Sequence, residues 1–265
     1  LYNNYTRMIL EISDYLPYIH ILDCTKIDVN LNNKNYENST VIKDEGKLRR
    51  GYKLASLRGL LDCSGVVKQI EIGTMKTHDL TLSKDILLNS PALKPGDILI
   101  EDRGFISREI INQLKTERGV DVYIPVRKDM DAYKEAVKIA KEQNKWSKHP
   151  NKKRKNQVIA SVKNVGPFWQ SDKPENDVEL NSCVVYNKKE DEYYVFVTTD
   201  LTITAKQLIK TYELRPEIEE NFRQLKNFWD LEDFKSTKYT HIVFHIAMLL
   251  IGYLYYQLYK KDKVS

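Results

Sequence analysis

The sequence predicts an α/β fold, a mixed sheet flanked by helices and interrupted by a β-rich insertion. Three observations predict it. Two short apolar runs that end in an acid, residues 18–24 (YIHILDC) and 97–102 (DILIED), have the composition of strands buried on both faces. Helical patterns alternate with such runs, so the first half reads β, β-hairpin, α, β, α, β. Between residues 157 and 199 the runs QVIASVK, ELNSCVVYN and EYYVFVTT follow one another with β character, and helical periodicity returns only at Thr204.

In chain order, residues 30–38 are asparagine-rich and form a loop. Residues 52–61 and 66–74 flank Asp62-Cys63-Ser64-Gly65 and pair as a hairpin. Residues 79–88 form a helix capped by Thr77 or Asp79. After the strand at 97–102, Arg103-Gly104 turns the chain into an amphipathic helix at 106–118, and 120–126 is a further strand. Residues 128–144 are helical and lead into the strongly basic 145–155 (KWSKHPNKKRK). A helical pattern runs from 204 to about 229, and a last helix covers about 239–260. The division this implies is a core first part at 1–127, a β-rich insertion with a basic loop at 128–199, and core C-terminal helices at 200–265. Residues 242–259 contain no Asp, Glu, Lys or Arg and reach the length of about 18 residues that a membrane helix needs. His245, Gln257 and the tyrosines near its end favour a fully buried core helix, with no membrane.

Composition narrows the function. The chain has 265 residues, room for one large domain or a domain with a sizeable insertion. Gly 10 and Pro 8 exclude collagen-like and linker-like chains. A net charge of +5 is compatible with a nucleic-acid partner without requiring one. Cys24, Cys63 and Cys183 are far apart and odd in number, which argues against a disulfide framework or a zinc ribbon and makes a reducing cytoplasm the default. The chain opens Leu-Tyr-Asn-Asn without Met or signal peptide, and a preceding N-terminal segment is expected. The absence of HExxH, GxSxG, GxxxxGK[ST] and GxGxxG argues against zinc proteases, serine hydrolases and nucleotide-binding loops.

The chemistry concentrates in a few residues. Asp23 and Asp102 end two apolar strands, where a buried carboxylate without a compensating charge costs several kcal/mol. Strand ends of open α/β sheets are also where ligand crevices form, and two converging acids suit Mg²⁺. Each acid alone reads equally well as a turn or cap residue. Glu101 is the rival of Asp102, and strand alternation puts it on the opposite face. Along a single helix, Tyr212, Arg215, Glu219 and Lys226 fall within roughly 60° of one another, beside an apolar stripe of Leu214, Ile218, Phe222, Leu225 and Trp229. Pro216 kinks that helix or marks its first turn. The plain alternative is a charged helix with pairs such as Arg215–Glu219. Lys152, Lys153 and Arg154 can follow a phosphate backbone or stand solvated in a loop. His78-Asp79 reads as a helix start, and Cys24 as a small buried residue with no paired histidine.

Tyr212-x2-Arg215-x3-Glu219-x6-Lys226 resembles the Y-x2-R-x3-E-x6-K signature of DDE transposases of the insertion sequence 4 family. Asp23 in Leu-Asp-Cys-Thr is similar to that family's first acid, Asp102 in Asp-Arg-Gly-Phe to its second, and Gly51-Tyr52-Lys53-Leu54 to the strand after the first acid. The resemblance covers about residues 20–260. It implies a ribonuclease-H-like fold with the β-rich insertion before the Glu-bearing helix. It also implies a two-metal site in which Asp23, Asp102 and Glu219 hold Mg²⁺, with Mn²⁺ as a substitute. Tyr212, Arg215 and Lys226 are then phosphate contacts, and the activity is cleavage at transposon ends and strand transfer to target DNA. The partners would be terminal-repeat and target DNA, bound by a dimer. Relatives carry a stacking aromatic in the insertion, for which Trp169, Tyr193 and Tyr194 are the candidates. Two departures from the pattern are Pro216, where some relatives have Trp, and the absence of the usual N-terminal DNA-binding domain. Two alternatives stay open: a truncated, non-catalytic DNA-binding remnant, and a stand-alone metal-dependent nuclease on the same fold.

Overall fold

The computed structural model describes residues 2–12, 18–61 and 64–264. The elements are α1 (Tyr2–Ile12), β1 (Ile19–Val29), β2 (Thr40–Asp44), β3 (Lys47–Leu61), β4 (Ser64–Thr74) and α2 (Asp79–Asn89), then β5 (Ile98–Ile100), α3 (Arg108–Thr116), β6 (Asp121–Val126) and α4 (Asp131–Gln143). They continue with β7 (Ser147–Lys148), β8 (Gln157–Val165), β9 (Leu180–Asn187), β10 (Glu192–Thr198), α5 (Ala205–Tyr212), α6 (Pro216–Phe228) and α7 (Tyr239–Val264). The chain forms two compact units, Leu1–Leu93 with Glu217–Ser265, and Lys94–Pro216.

In the first unit the sheet is built on β3. Its antiparallel partner β1 runs from the pair Ile19↔Leu60 to Val29↔Arg50, which sets Asp23 opposite Ser56. Along its other edge β3 pairs with β2 at its start and with β4 over the rest, the expected hairpin, whose turn at Asp62 and Cys63 lies outside the described residues. Gly51 explains itself in this ladder: a Cβ there would stand 1.9 Å from the Ile27 carbonyl oxygen, so the close approach admits no side chain. The helix α2 begins at Asp79, as expected, but its cap is His78, whose side chain, rather than that of Thr77 or Asp79, accepts the Leu80 N–H.

Two helices of this unit differ from expectation. The helix α1 has no counterpart in the sequence reading, although Tyr2, Thr6 and Leu10 recur at helical spacing and are buried at 4%, 0% and 4% exposure. The helix α7 is only half a core helix. Ile242, Ile246, Leu250, Tyr253 and Leu254 are buried, whereas Phe244, Met248, Tyr255 and Tyr259 on the opposite face are exposed. The span Tyr239–Lys260 is the one described helix long and apolar enough to cross a membrane, and 39% of its most apolar window is buried within the fold.

In the second unit β5 and β6 are parallel, from Ile98↔Asp121 to Ile100↔Tyr123, and α3 is their crossover, capped by Ser107. The strand β5 is shorter than the apolar run because Asp102 leaves the ladder to cap a single 3₁₀ turn, Arg103–Phe105. On its other edge β6 pairs antiparallel with β10, placing Val126 opposite Val195. The strands β9, β8 and β7 continue that sheet as an antiparallel series. The β-rich segment is thus hydrogen-bonded directly to a strand of the α/β unit through β10.

The long helix expected from 204 to 229 is two helices. The helix α5 ends at Tyr212, Leu214 and Arg215 donate backbone N–H groups back to Thr211 and Tyr212, and α6 restarts at Pro216. Proline has no N–H to satisfy and a φ suited to a first turn, so it opens the new helix rather than kinking an old one.

Glu101, the last residue before the turn, is 1% exposed, and burial pushes its carboxyl from 4.5 up to about 8. A raised carboxyl is stabilising, relative to its ionised form, below the unfolded value and loses that contribution as pH rises through the folded one. Unfolding free energy should therefore fall by about 1.4 kcal/mol per pH unit between roughly 4.5 and 8 from this group alone. Glu101→Gln removes that slope, and urea denaturation of both proteins across this range measures it. Parallel pH profiles would contradict the assignment.

Candidate active site

Asp23 follows Ile21 and Leu22, both fully buried, and is itself partly exposed, but it does not end its strand as expected: β1 stays paired with β3 as far as Val29, and Ile27 is buried again. The Asp23 Oδ1 accepts the Cys24 N–H at 2.8 Å. Asp102, in the second unit, lies just past the end of β5: it follows buried Ile100 and Glu101, its side chain is 41% exposed, and its Oδ1 accepts the Arg103 N–H at 2.7 Å. Glu101 is thus turned inward and Asp102 outward, as expected, although both lie past the end of β5 and Asp102 faces out as the cap of the 3₁₀ turn. Burial, with the Asp79 and Asp23 charges adding to it, pushes the Cys24 thiol up to about 12, which removes it as a nucleophile near neutral pH.

Glu219 is exposed in the first turn of α6, whose buried face is Ile218, Phe222 and Leu225. Lys226, two turns on, donates its Nζ to the Lys26 carbonyl oxygen and lies 3.1 Å from Glu232 Oε1. The neighbouring Glu220 is engaged by Arg223 at 2.7 Å and by Gln224, and the guanidinium pulls its carboxyl down to about 2.

The other half of the motif lies in the second unit. Tyr212 ends α5 with its ring packed on Phe196 at 4.7 Å, and Arg215 Nη2 lies 3.5 Å from Asp102 Oδ2. The four motif residues therefore do not share one helical stripe, because α5 and α6 are separate helices. Tyr212 and Arg215 line a cavity of about 650 Å³ together with Arg154, Tyr194, Phe196 and Glu213. Arg154, from the basic loop, pairs with Glu213 at 2.7 Å, and Asn151 Nδ2 donates to the same carboxylate at 3.2 Å. Lys152 and Lys153 are exposed.

Of the three candidate stacking aromatics, Trp169, Tyr193 and Tyr194, it is Tyr194 that lines this cavity, 38% exposed. Tyr193 stacks on Tyr186 at 4.6 Å, and Trp169 lies elsewhere, under the Arg127 guanidinium at 5.7 Å. Within either unit, among the described residues, no group of three or more His, Cys, Asp or Glu side chains is gathered to hold a metal ion.

The model of one protein family, the transposase DDE domain, matches residues 15–255. The chain belongs to this family. A comparison with curated proteins found no match. The transposase DDE domain is the catalytic domain of DNA transposases, metal-dependent enzymes that cut DNA, and its ribonuclease-H-like α/β fold accounts for the mixed parallel and antiparallel pairing flanked by helices. Transposases act on DNA, and the family generally uses divalent metal ions. The donor chemistry here suits such ions, since Asp23, Asp102 and Glu219 offer hard carboxylate oxygens at partly exposed positions.

Three residues of this transposase domain escaped the sequence reading. Glu213 seemed one acid among several, yet it ties the basic loop to the end of α5. Asn221 is 1% exposed and donates to Tyr253 Oη at 2.9 Å, and a polar residue on the apolar face of α6 was the available signal. Glu232 lies beyond every motif. The Glu213 anchor makes a prediction. Glu213→Ala should release the loop, so limited trypsin digestion should cleave at Lys152, Lys153, Arg154 and Lys155 several-fold faster than in the parent, with the melting temperature little changed. Equal cleavage rates would show that Glu213 does not hold the loop.

Proposed function

We propose that Asp23, Asp102 and Glu219 are the three acids of the transposase active centre, holding Mg²⁺, or Mn²⁺ in its place. The observation that carries this is the equivalent placement of the two aspartates. Each is the first partly exposed residue after a run of buried ones, Asp23 within β1 and Asp102 just past β5, and each accepts the backbone N–H that follows. Glu219 lies on the exposed side of the first turn of α6, whereas the next acid, Glu220, is taken up by Arg223 and Gln224. The bound ions would polarise the scissile phosphate and favour an oxygen nucleophile at neutral pH.

The remaining work falls to the chain. Arg215, close to Asp102, offers a planar two-pronged donor to a phosphate next to that acid, and Lys226 offers a point charge. Tyr212, Tyr194 and Phe196 give the cavity an aromatic lining on which a base can stack, with Arg154 as a cation at the same cavity. Tyr194 thereby takes the stacking role in preference to Trp169, while Lys152 and Lys153 follow the DNA backbone. In this reading the domain, of the insertion sequence 4 type, is cytoplasmic. It cleaves the terminal repeats of its element and joins them to target DNA as a dimer. The 128–199 segment serves as an insertion that supports the DNA end.

Asp23→Asn and Glu219→Gln should each reduce cleavage of DNA carrying the element's ends by at least about 100-fold, because even groups that only orient metal ligands contribute about 10–100-fold. DNA binding should largely survive in both. Arg215→Ala should leave the acids in place and flatten the dependence of log K on log salt by about 0.9, one phosphate contact. Cleavage at parent rates by Asp23→Asn would remove Asp23 from the centre, and an unchanged salt slope would reduce Arg215 to a partner of Asp102.

A further inference from the structure

Lys226 is held by more than its own helix. Its Nζ donates to the Lys26 carbonyl oxygen on β1 and lies 3.1 Å from Glu232 Oε1, with the lysine side chain 23% exposed. The same Glu232 oxygen accepts the Asp28 N–H at 3.0 Å. Glu232 therefore clips the end of α6 to β1, five residues beyond Asp23.

The chain is shaped to bring it there. After α6, Asp230 adopts a left-handed φ of 53°, a conformation that Asp tolerates better than most side chains. Leu231 then donates its N–H to the Leu225 carbonyl at 3.1 Å and buries its side chain completely. This turn folds the chain back along α6 and sets Glu232 beside Lys226. The strand side of the clip is fixed as well. The Asp28 carboxylate takes a bidentate hold from Arg49, whose other arm reaches Asp44 at 2.6 Å, and Asp44 pairs with Lys26 at 2.7 Å.

We infer that Glu232 is a positioning residue for DNA binding: it directs the Lys226 ammonium toward a DNA phosphate. An ammonium has three hydrogens. The Lys26 carbonyl and Glu232 orient two of them, which aims the third away from the α6–β1 seam. A flexible four-carbon stem would otherwise spread that charge over many rotamers, and fixing it beforehand removes the ordering cost at binding. The inference rests on Lys226 being a phosphate contact, so the experiment separates the two.

Binding of the full chain to a short fluorescent DNA duplex of arbitrary sequence is measured between about 50 and 200 mM salt. The variants are Lys226→Ala, Glu232→Ala, Glu232→Gln and the double Lys226→Ala/Glu232→Ala. The expected result is that Lys226→Ala and Glu232→Ala each flatten the log K against log salt slope by about 0.9, and that the double variant flattens it no further. Glu232→Gln, which keeps an oxygen acceptor in place, should retain the parent slope. Glu232→Asp, too short to reach Nζ, replaces Glu232→Ala if that variant does not melt cooperatively, and should flatten the slope equally. A parent slope in Glu232→Ala beside a flattened one in Lys226→Ala would overturn the positioning role while leaving the phosphate contact standing. Tighter binding by Glu232→Ala would overturn it too, by making Glu232 a competitor of phosphate. An unchanged slope in Lys226→Ala would refute the phosphate contact itself and this inference with it.

Discussion

The first unit depends on β3 being paired along both edges. Every residue from Gly51 to Leu60 is buried, so each backbone N–H and C=O there must find a partner inside the protein. β1 supplies one edge, and β2 and β4 share the other. The register that results fixes Asp23 opposite Ser56, at the point where β1 passes from fully buried to partly exposed residues. A slip of one residue would turn Asp23 to the other face of the sheet and bring Leu22 to its place. Gly51 belongs to the same constraint, since any side chain there would separate the two strands at Ile27.

Three of the cations assigned to DNA are held by acids in the protein alone: Arg215 near Asp102, Lys226 near Glu232, Arg154 by Glu213. These groups are partly exposed, and ion pairs of that kind contribute only about 0–1 kcal/mol. Such pairs orient a side chain without holding it strongly, so a phosphate can share the cation with the carboxylate that directs it. This arrangement also fits the modest net charge of +5: attraction to DNA comes from placed cations rather than from an overall basic surface.

The helix α7 shows a different balance. Its sequence is apolar on every side, yet the fold covers one face and leaves Phe244, Met248, Tyr255 and Tyr259 exposed. Its buried face is committed to the core of the first unit, where Leu254 packs with Leu10 and Val66. Trp229 packs edge-on against Tyr253 at 5.4 Å, and so joins the turn after α6 to this helix. The loop that carries Glu232 is in this way anchored on both sides.

Local pattern determined a good deal of this protein. Alternation and apolar runs located β1, β3, β4, β6 and the three long strands β8, β9 and β10, because strand burial is a property of consecutive residues. The same reasoning separated Glu101 from Asp102, inward from outward. The spacing of Tyr212, Arg215, Glu219 and Lys226, with the two aspartates upstream, was enough to indicate the family. What the sequence could not decide were the breaks and the partners. Helical periodicity runs through Glu213–Arg215 without interruption, and only packing stopped α5 at Tyr212 and let Pro216 open a new helix. Exposure of one face of α7 depends on what else the chain brings there. The choice of Tyr194 over Trp169 as the cavity aromatic depends on which strand pairs with β6. Glu213 and Glu232 looked like ordinary surface acids, since their partners lie 59 and 204 residues away along the chain, at Arg154 and Asp28. Contacts at such separations carry no local signature, and only the folded chain brings those groups within hydrogen-bonding distance.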